Sequence, residues 1–417
     1  MVFYWFYGLL YRPLLWLLTI LSFFNQKLKK GLSLRKKVDG KWPWLNHPEA
    51  TKPIWIHCAS GEYEYAKPVI RLVKEKYPQE KILVTFFSPS VEKALSNAKD
   101  IDFYCPTPWD TSGHWKKFIK HHQPKALLIA RTDVWPMMIK QAEKNNIPRL
   151  LFSKTMDSNK NGYDKMLMRQ LFPKLSDIFC VSEEDRQNLF SEIRPYKNIH
   201  TSGDTRYDQC LYRINHGKVL KPLNNFLKPI FVAGSTWSAD EEALIPTVHD
   251  YIKDVAFIIA PHEPTKSHIE SLTKKLKAAG LEFCFYSEVN TWDPKKVLIV
   301  DEVGILADLY GWAQFSFIGG SMNRSVHSVM ESIAHGLLTF VGPKHSNNRE
   351  AMEFKSQKIN DLAPIQVINN RRDMLDNFTQ NYKNWSPQHQ LNLKILVQKR
   401  KGASQLVLKW LENNQLN

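Results

Sequence analysis

Residues 301–350 read DEVGILADLYGWAQFSFIGGSMNRSVHSVMESIAHGLLTFVGPKHSNNRE, and this stretch decides the fold class of the chain. A buried strand is predicted at 315–318, followed by Gly319–Gly320–Ser321, a helix from about Ser328 and a second buried strand at 338–341. Strand, glycine turn, helix and strand in this order are typical of a parallel sheet. Ligands bind such sheets at the carboxyl ends of strands, against helix N-termini, so we expect a nucleotide or phosphate site here.

The rest of the chain repeats this alternation in two halves. Strands are predicted at 54–57, 82–85, 126–129, 149–152 and 178–181, and again at 229–234, 257–260 and 297–300. Helices fit between them, for example at 67–76, 115–121 and 137–145. We therefore predict an α/β protein with two Rossmann-like domains facing a cleft, at 38–212 and 229–387. Residues 213–228 break both patterns and are predicted to be the linker, and 388–417 to carry a long helix that packs back on the first domain.

Length and charge narrow the class of protein. The chain has 417 residues, which is long enough for two such domains. Its formal net charge of +16 at pH 7 indicates an anionic partner, either nucleic acid, a membrane surface or a phosphorylated substrate. The sequence contains neither a P-loop pattern nor a GxGxxG dinucleotide fingerprint.

The N-terminal segment 1–37 is predicted to be a membrane anchor. Residues 2–24 are almost entirely apolar and long enough to span a bilayer, but Arg12 lies at the centre, where an arginine costs about 2.5–3.5 kcal/mol. Two arrangements follow: one tilted span, or a helix lying in the interface. A cleaved signal peptide and a buried core helix are the alternatives. An anionic membrane surface would attract the basic residues that follow the apolar run, and their charge would keep the body of the protein cytoplasmic. These basic residues are Lys27, Lys29, Lys30, Arg35, Lys36 and Lys37.

Three polar residues follow strands of the first half or precede the linker. Glu62 stands at a glycine turn before a helix, where it is either a general base or a helix-capping acid. Asp133 lies in a strand-to-helix loop that ends in a proline, and an N-terminal cap is its simpler explanation. Arg206 has the chemistry to bind a phosphate or carboxylate, or else it pairs with Asp204 or Asp208.

The second half offers further candidates at the ends of its strands. A glycine turn follows the strand at 229–234, and Ser238 with Glu241 matches a capping box. His262 ends the next strand, although a lone histidine there is more often structural. Ser328 and Glu331 also match a capping box, and Glu331 has the alternative role of binding a ribose diol, with His327 beside it.

Taken together, these segments resemble the Kdo transferases, which transfer 3-deoxy-D-manno-octulosonic acid (Kdo) in lipopolysaccharide assembly. IHCASGEYEYAKPVI resembles the family's S-x-G-E strand, RTDVWP its E-T-E-L-W-P, and SGDTRYD its G-N-x-K-F-D. AGSTW is similar to S-T-x-x-x-E-E, and APHEP to P-R-H-P-E-R. DEVGIL, LYGWAQFSFIGGS and GPKHSNNREA resemble the remaining motifs, in the expected order. The similarity runs from the N-terminal segment to about residue 355.

The resemblance implies a GT-B fold and an inverting, metal-independent glycosyltransferase that needs no cofactor. It implies CMP-Kdo as donor and a lipid A precursor (lipid IVA) as acceptor, at the cytoplasmic face of the inner membrane. Glu62 takes the place of the general base, and Asp133 and Arg206 the places of transition-state stabilisers. The implied CMP contacts are Pro261, His262, Val303, Gly304, Ile305, Ser328, Val329, Met330 and Glu331.

Four departures from the family pattern keep alternatives open. Ser60–Gly61–Glu62 is one residue shorter than S-x-G-E, and G-G-H-N is replaced by Ser325–Val326–His327–Ser328. His262 replaces an arginine, and Ile305 a glutamate. A related GT-B enzyme with another nucleotide sugar is therefore the second hypothesis, and a non-catalytic membrane-bound protein that binds sugar or lipid is the third. Nucleic acid is the least favoured partner, because no recognition motif occurs.

Overall fold

The computed structural model describes residues 2–37, 40–156, 162–218, 220–221 and 228–416. Contacts divide the chain into two compact units. Unit 1 consists of Met1–Gln209 with Arg400–Asn417, and unit 2 consists of Cys210–Lys399. The division falls inside the helix Thr205–Asn215, just before the predicted linker 213–228. Residues 219 and 222–227 of that linker lie outside the described residues, and the linker stays a prediction.

Each unit is built on a parallel sheet, for which the described residues supply seven strands. In chain order the strands are β1 (Ile54–Cys58), β2 (Ile82–Phe86), β3 (Phe103–Pro106), β4 (Ala126–Ala130), β5 (Arg149–Lys154), β6 (Asp177–Cys180), β7 (Ile199–Thr201), β8 (Ile230–Thr236), β9 (Ala256–Pro261), β10 (Phe283–Phe285), β11 (Val297–Ile299), β12 (Phe315–Ile318), β13 (Leu338–Val341) and β14 (Ile365–Val367).

Helices connect the strands, as parallel pairing requires. They are α1 (Val2–Leu21), α2 (Gln26–Ser33), α3 (Tyr63–Lys76), α4 (Glu92–Ser96), α5 (Ser112–His122), α6 (Pro136–Lys144), α7 (Gly162–Leu171), α8 (Glu183–Glu192), α9 (Thr205–Asn215), α10 (Ser238–Tyr251), α11 (Lys266–Ala278), α12 (Leu306–Leu309), α13 (Met330–Ala334), α14 (Arg349–Ser356), α15 (Arg371–Asn381), α16 (Pro387–Gln398) and α17 (Ala403–Leu411). The π turn Glu412–Leu416 extends α17.

The strand orders place a topological switch point in each sheet. Unit 1 has the order β3-β2-β1-β4-β5-β6-β7, and unit 2 the order β10-β11-β9-β8-β12-β13-β14. The direction of winding therefore reverses between β1 and β4, and again between β8 and β12. At such points the loops after two neighbouring strands diverge and leave a crevice at their carboxyl ends, where ligands bind.

The core of unit 1 follows from the alternation of side chains along its buried strands. Trp55, Leu127 and Ile129 belong to one hydrophobic cluster, while Ile54 and Ile56 belong to another. Side chains alternate across a strand, so these two clusters cover the two faces of one sheet. The central strands are apolar throughout for this reason, which is typical of parallel sheets.

The N-terminal helix α1 packs on unit 1 through a row of tyrosines. The hydroxyl of Tyr11 accepts a hydrogen bond of 2.9 Å from the backbone N–H of Asp110, and the ring of Tyr4 lies 4.8 Å from the ammonium of Lys140. Gly8 faces Met137 on α6. The opposite side of α1 exposes apolar side chains. Within the stretches that the structure describes, no helix combines the length and apolarity that a membrane span requires.

Arg35 was grouped with the basic residues expected at a membrane surface, and this part of the prediction is wrong. The residue is 4% exposed, and its guanidinium donates to the carbonyl oxygens of Gly31 at 2.7 Å, Thr107 at 3.0 Å and Phe87 at 2.7 Å. It also lies 4.7 Å from the centre of the Phe87 ring. Burial lowers the pKa of Arg35 to about 10. Arg35 therefore fixes the end of α2 to unit 1.

The C-terminal segment also differs from the single long helix that was predicted. Helix α16 ends at Gln398 and belongs to unit 2, whereas α17 begins at Ala403 and belongs to unit 1. Gly402 between them has φ = 122°, a left-handed backbone conformation that favours glycine and ends the helix. Only the last part of the segment therefore packs on the first unit.

Candidate active site

Glu62 follows β1 at the switch point of unit 1. It is the N-cap residue of α3, yet within the described chain its carboxylate makes no capping hydrogen bond. Instead the carboxylate accepts from the backbone N–H of Ser60 at 2.9 Å and lies 3.4 Å from the hydroxyl of Thr132. The side chain is half-buried. A carboxylate held at a helix N-terminus without capping it is free to accept a proton from a bound hydroxyl group.

Asp133 follows β4, the strand beside β1, and does not cap the helix that comes after it. The first free N–H groups of α6, at Met137 and Met138, donate to Asp110 at 3.1 and 3.0 Å. The Asp133 carboxylate instead faces His57 of β1, with 3.7 Å between Oδ2 and Nε2. The structure therefore places Asp133 in the loop after β4, next to Thr132, which contacts Glu62.

Arg206 lies in the first turn of α9 and contacts the start of α3. Its guanidinium donates to the hydroxyl of Tyr65 at 3.3 Å and lies 5.3 Å from the centre of that ring. Thr205 donates to the backbone carbonyl of Tyr65 at 2.8 Å, which fixes α9 against α3. Burial raises the pKa of Tyr65, and Asp204 adds to this rise. Tyr65 thus links Arg206 to the helix that starts beside Glu62.

Unit 2 contains a cavity of about 450 Å³ at its own switch point. Ser235 from the end of β8 and Ile318 from the end of β12 line it, as do Gly304, Ser328 and Glu331 of the predicted CMP contacts. The approach of the two strand ends is very close, because a Cβ atom on Gly319 would lie 2.1 Å from the carbonyl oxygen of Ser235. A cavity at this position agrees with the site predicted from residues 301–350.

The other predicted CMP contacts do not line this cavity. Ile305, Val329, Met330 and Pro261 are buried, and Val303 is 75% exposed. Ser328 is not the N-cap of α13, which starts at Met330; its hydroxyl donates to the Glu331 carboxylate at 2.6 Å.

His262 and His327 are joined by a stack of rings at the edge of the cavity. Their ring centres are 4.2 Å apart with 15° between the planes, and Trp237 lies 5.0 Å from His262. The guanidinium of Arg324 lies 3.6 Å from the centre of the Trp237 ring. Burial lowers the pKa of His327, and His262 and Arg324 lower it further. His262 therefore reaches the cavity indirectly, through His327, which lines it.

The glycine turn after β12 is already occupied by a carboxylate of the protein. Asp240 accepts from the backbone N–H groups of Gly320 at 2.7 Å, Trp237 at 2.9 Å and Met322 at 3.1 Å. These N–H groups are thus not open to a phosphate. The predicted capping box is displaced by one residue as well: Trp237 precedes α10 and Asp240 accepts from it, whereas Glu241 is buried against His268 at 2.7 Å.

Three basic residues that line the cavity were not predicted as site residues from the sequence. Arg213, His216 and Lys218 line it from the end of α9 and the residues after it, within the predicted linker. Arg213 lies 3.4 Å from the Glu331 carboxylate, and the backbone N–H of Lys218 donates to Asp308 at 3.1 Å. Arg213 and Lys218 alone would add two positive charges beside the predicted ribose contact. The one available signal was the cluster of basic side chains within residues 213–218, at the end of a helix.

Comparison with known proteins shows which proteins this chain is similar to. Residues 31–209 match the family model described as 3-deoxy-D-manno-octulosonic-acid transferase (Kdo transferase). A relative of that name from Haemophilus influenzae is 24% identical over 346 residues, covering 79% of this chain and 80% of the relative. One from Rickettsia felis is 27% identical over 375 residues, covering 87% and 76%. One from Aquifex aeolicus is 25% identical over 311 residues, covering 72% and 79%.

Solved structures show the fold. UDP-GlcNAc 2-epimerase from Neisseria meningitidis aligns with a TM-score of 0.60 and 14% identity, covering 87% of this chain and 99% of the other. MurG from Acinetobacter baumannii aligns with a TM-score of 0.52 and 11% identity, covering 87% and 100%. These similarities confirm a two-domain α/β fold of the GT-B type. The family model and the aligned relatives together show that this chain is similar to the Kdo transferases.

Proposed function

We propose that this protein transfers Kdo from CMP-Kdo to a lipid A precursor (lipid IVA), with inversion at the anomeric carbon and Glu62 as the general base. Relatives named 3-deoxy-D-manno-octulosonic acid transferases support the reaction class. The observation that carries the role of Glu62 is its geometry. Its carboxylate lies at the switch point of unit 1, half-buried, and is held by Ser60 and Thr132 instead of capping α3.

The chemistry is one displacement in which this chain moves a proton and stabilises charge. Glu62 takes the proton of the acceptor hydroxyl while the hydroxyl oxygen forms a bond to the anomeric carbon of Kdo. The bond from that carbon to the CMP phosphate breaks, and its electron pair leaves with CMP. Asp133 opposes the positive charge on the sugar ring, and Arg206 opposes the negative charge of donor groups. The reaction of this proposal is metal-independent, because protein cations balance the leaving phosphate.

Unit 2 supplies the donor site of the proposal. The volume of its cavity is near the lower end of the range for small-molecule sites. The cavity combines a carboxylate that would bind the ribose with basic groups that would bind the anions of CMP-Kdo. Glu331 has the role of the ribose ligand, and Ser328 orients it through their 2.6 Å hydrogen bond.

A second candidate is transfer of a different sugar from another nucleotide donor. The observation that favours it is the ring stack of His262 and His327, which occupies the place of the family's arginine. A histidine pair offers a smaller and weaker cation than a guanidinium fork, so the fit to the donor anions differs. Competition among nucleotide sugars separates the two candidates.

The same proposal includes a place for the protein: the cytoplasmic face of the inner membrane. The tyrosine row fixes one side of α1 to unit 1, while Leu10 and Trp16 of α1 are 67% and 70% exposed, and Phe24 just after the helix is 87% exposed. A helix with one packed side and one apolar exposed side is suited to lie in a lipid interface. This position would also bring the enzyme to a lipid acceptor.

The test is acceptor-dependent release of CMP from CMP-Kdo, compared between the wild type and Glu62→Gln. The matched control is Glu64→Gln, which removes a carboxylate from the same first turn of α3, where Glu64 pairs with Lys67. We expect Glu62→Gln to lower kcat by about two orders of magnitude or more and the control to stay near the wild type.

Each contrary outcome identifies the part that fails. Equal rates for Glu62→Gln and the wild type would remove Glu62 from the role of base. Release of the nucleotide from another nucleotide sugar, but no release of CMP from CMP-Kdo, would establish the second candidate, the transfer of a different sugar. Binding of CMP-Kdo or acceptor without any release by the folded wild type would indicate a binding protein instead of an enzyme.

A further inference from the structure

His57, a residue without a role in the reaction proposed above, lies at the switch point of unit 1. It is in β1 between two neighbouring strands, and in the parallel register its partner on β2 is Thr85. Its side chain is fully buried, with Nδ1 at 3.0 Å from the Thr85 hydroxyl. On the other side, Nε2 lies 3.7 Å from Oδ2 of Asp133, which follows β4. Thr85, His57 and Asp133 thus form a row across three adjacent strands.

The two facing atoms of His57 and Asp133 are buried and lack other partners. Among the residues that the structure describes, neither Nε2 of His57 nor Oδ2 of Asp133 has a hydrogen-bond partner. The distance of 3.7 Å is longer than a hydrogen bond, but a ring N–H of His57 can donate and the carboxylate of Asp133 can accept. Leaving both unsatisfied would be costly, so a small approach of the side chains is favoured.

The rest of the row determines which nitrogen of His57 carries the proton. The indole N–H of Trp55 can only donate, and it donates to the Thr85 hydroxyl oxygen at 2.8 Å. The hydroxyl keeps its own proton for Nδ1 of His57. If Nδ1 carried the proton instead, Nε2 would present a lone pair to the Asp133 carboxylate, which is repulsive. The favoured arrangement therefore has the proton on Nε2, directed toward Asp133.

The loop that carries Asp133 has a strained backbone, which persists only where surrounding contacts hold it. Arg131 and Asp133 have φ values of 61° and 66°, in the left-handed region that costs non-glycine residues energy. Arg35 interacts electrostatically with Asp133, but its own N–H groups donate to the carbonyls of Gly31, Thr107 and Phe87. The position of hydrogen-bond donor to Oδ2 is thus left to His57.

We propose that His57 is a positioning residue for Asp133, at the end of a hydrogen-bond row that runs from Trp55 through Thr85 to His57 Nε2–H. The row orients the Asp133 carboxylate and stabilises its charge when substrate displaces water from the loop. The catalytic consequence rests on the proposed function, whereas the position of the proton on His57 does not.

The direct test is nitrogen NMR of the ¹⁵N-labelled histidine rings of the full chain, with the His57 signals identified by their loss in His57→Gln. We expect the pattern of a ring protonated at Nε2 alone. In Asp133→Asn the Nε2 signal should shift, and in Thr85→Val the preference for one nitrogen should weaken. A proton on Nδ1 in the wild type, alone or together with one on Nε2, would overturn the proposal, as would a signal unchanged by Asp133→Asn.

Kinetics test the positioning role with two amides of different reach. The amide nitrogen of a glutamine can occupy the place of Nε2, whereas that of an asparagine reaches only the place of Nδ1. We expect His57→Asn to lower kcat about 100-fold with little change in KM for the donor, and His57→Gln to lower it much less. His57→Asn combined with Asp133→Asn should be no slower than Asp133→Asn alone. Equal losses for the two amides, or additive losses in the double variant, would contradict a role through Asp133.

A merely structural role is separated by a matched control. His122 is another fully buried histidine of unit 1, at the end of α5 and outside the site. His122→Asn should lower stability without changing the kcat of the folded fraction, whereas His57→Asn should lower the kcat of folded enzyme. If the wild type releases no CMP at all, the proposed function fails, and the NMR result still decides whether His57 donates to Asp133.

Discussion

His122 links the stability of unit 1 to pH. Its ring packs edge-on against Phe118 at 4.7 Å and against His121 at 4.8 Å. Burial, with a smaller contribution from His47 and His121, lowers the pKa of His122 from 6.5 to about 3. Below pH 6.5 the unfolded chain therefore binds a proton that the folded chain binds only near pH 3. The free energy of unfolding is highest above pH 6.5 and falls as the pH is lowered through this window.

The measurement is urea unfolding of the wild type and of His122→Phe between about pH 8 and about pH 5. This one residue should contribute a slope approaching about 1.4 kcal/mol per pH unit at the acidic end. The variant should therefore show a weaker pH dependence than the wild type. Any difference at the alkaline end reports packing alone. Parallel curves for the two proteins would show that His122 does not carry the effect.

Single residues also show where local sequence patterns stop being informative. The pattern before α6 pointed to Asp133 as a cap, but Asp110, which follows β3 and is distant in sequence, accepts from its first N–H groups. The pattern before α13 pointed to Ser328, but the helix starts later and Ser328 bonds the Glu331 side chain. A cap depends on which acceptor the tertiary fold brings to the helix start. The sequence identified Glu62, Asp133 and Arg206 as candidate site residues, but it did not show which residues they contact.

Elements were predictable where burial was complete on both faces. All the central strands of both sheets were predicted, because they are continuous apolar runs. The strands β3, β7, β10 and β14 were missed. They are short and lie toward or at the sheet edges, where side chains are partly exposed; β10, for example, has no fully buried residue. An edge strand takes its conformation from its neighbour, so its own sequence carries a weak signal.

The last helix, α17, depends on one carboxylate of α9. Asp208 is buried and accepts from the backbone N–H groups of Gly402 and Ser404, both at 2.8 Å. Asp208 therefore caps α17 from a different element. We expect Asp208→Ala to lower the free energy of unfolding by about 1–2 kcal/mol, and amide hydrogen exchange in Ala403–Leu411 to become faster.

The comparison variant for this prediction is Glu412→Gln, at the other end of the same helix. Glu412 pairs with Lys76 near solvent, and such surface pairs contribute little. Hydrogen exchange in α17 should change less in this variant than in Asp208→Ala. If both variants accelerate exchange equally, then general fraying, and not the cap supplied by Asp208, controls the helix.

At the scale of the whole chain, the sequence predicted two α/β domains but not how the ends of the chain are used. The N-terminal helix was predicted to be a membrane anchor, with a buried core helix as one alternative, and in the structure Tyr4 and Tyr11 pack one side of it on unit 1. A row of tyrosines within an apolar stretch fits the membrane interface and a protein surface equally well. The contacts of Tyr11 with Asp110 and of Tyr4 with Lys140 show that these tyrosines face the protein.

The exposed side of α1 gives the prediction that belongs to the whole molecule. Leu10 and Trp16 of α1, and Phe24 just after it, are mostly exposed, and the chain carries a net charge of +16. Burial of a large apolar side chain contributes about 1.5–3 kcal/mol, so replacing all three by serine should weaken binding to anionic lipid vesicles at least about 100-fold.

The control replaces Leu391 and Ile395 by serine, since these are also exposed apolar residues but lie on α16. Sedimentation with vesicles at low and high salt separates the two contributions, because salt screens the attraction of the basic residues and leaves apolar insertion largely intact. Unchanged binding of the triple variant, abolished by salt, would mean that charge alone brings the protein to the membrane and that α1 serves only to pack on unit 1.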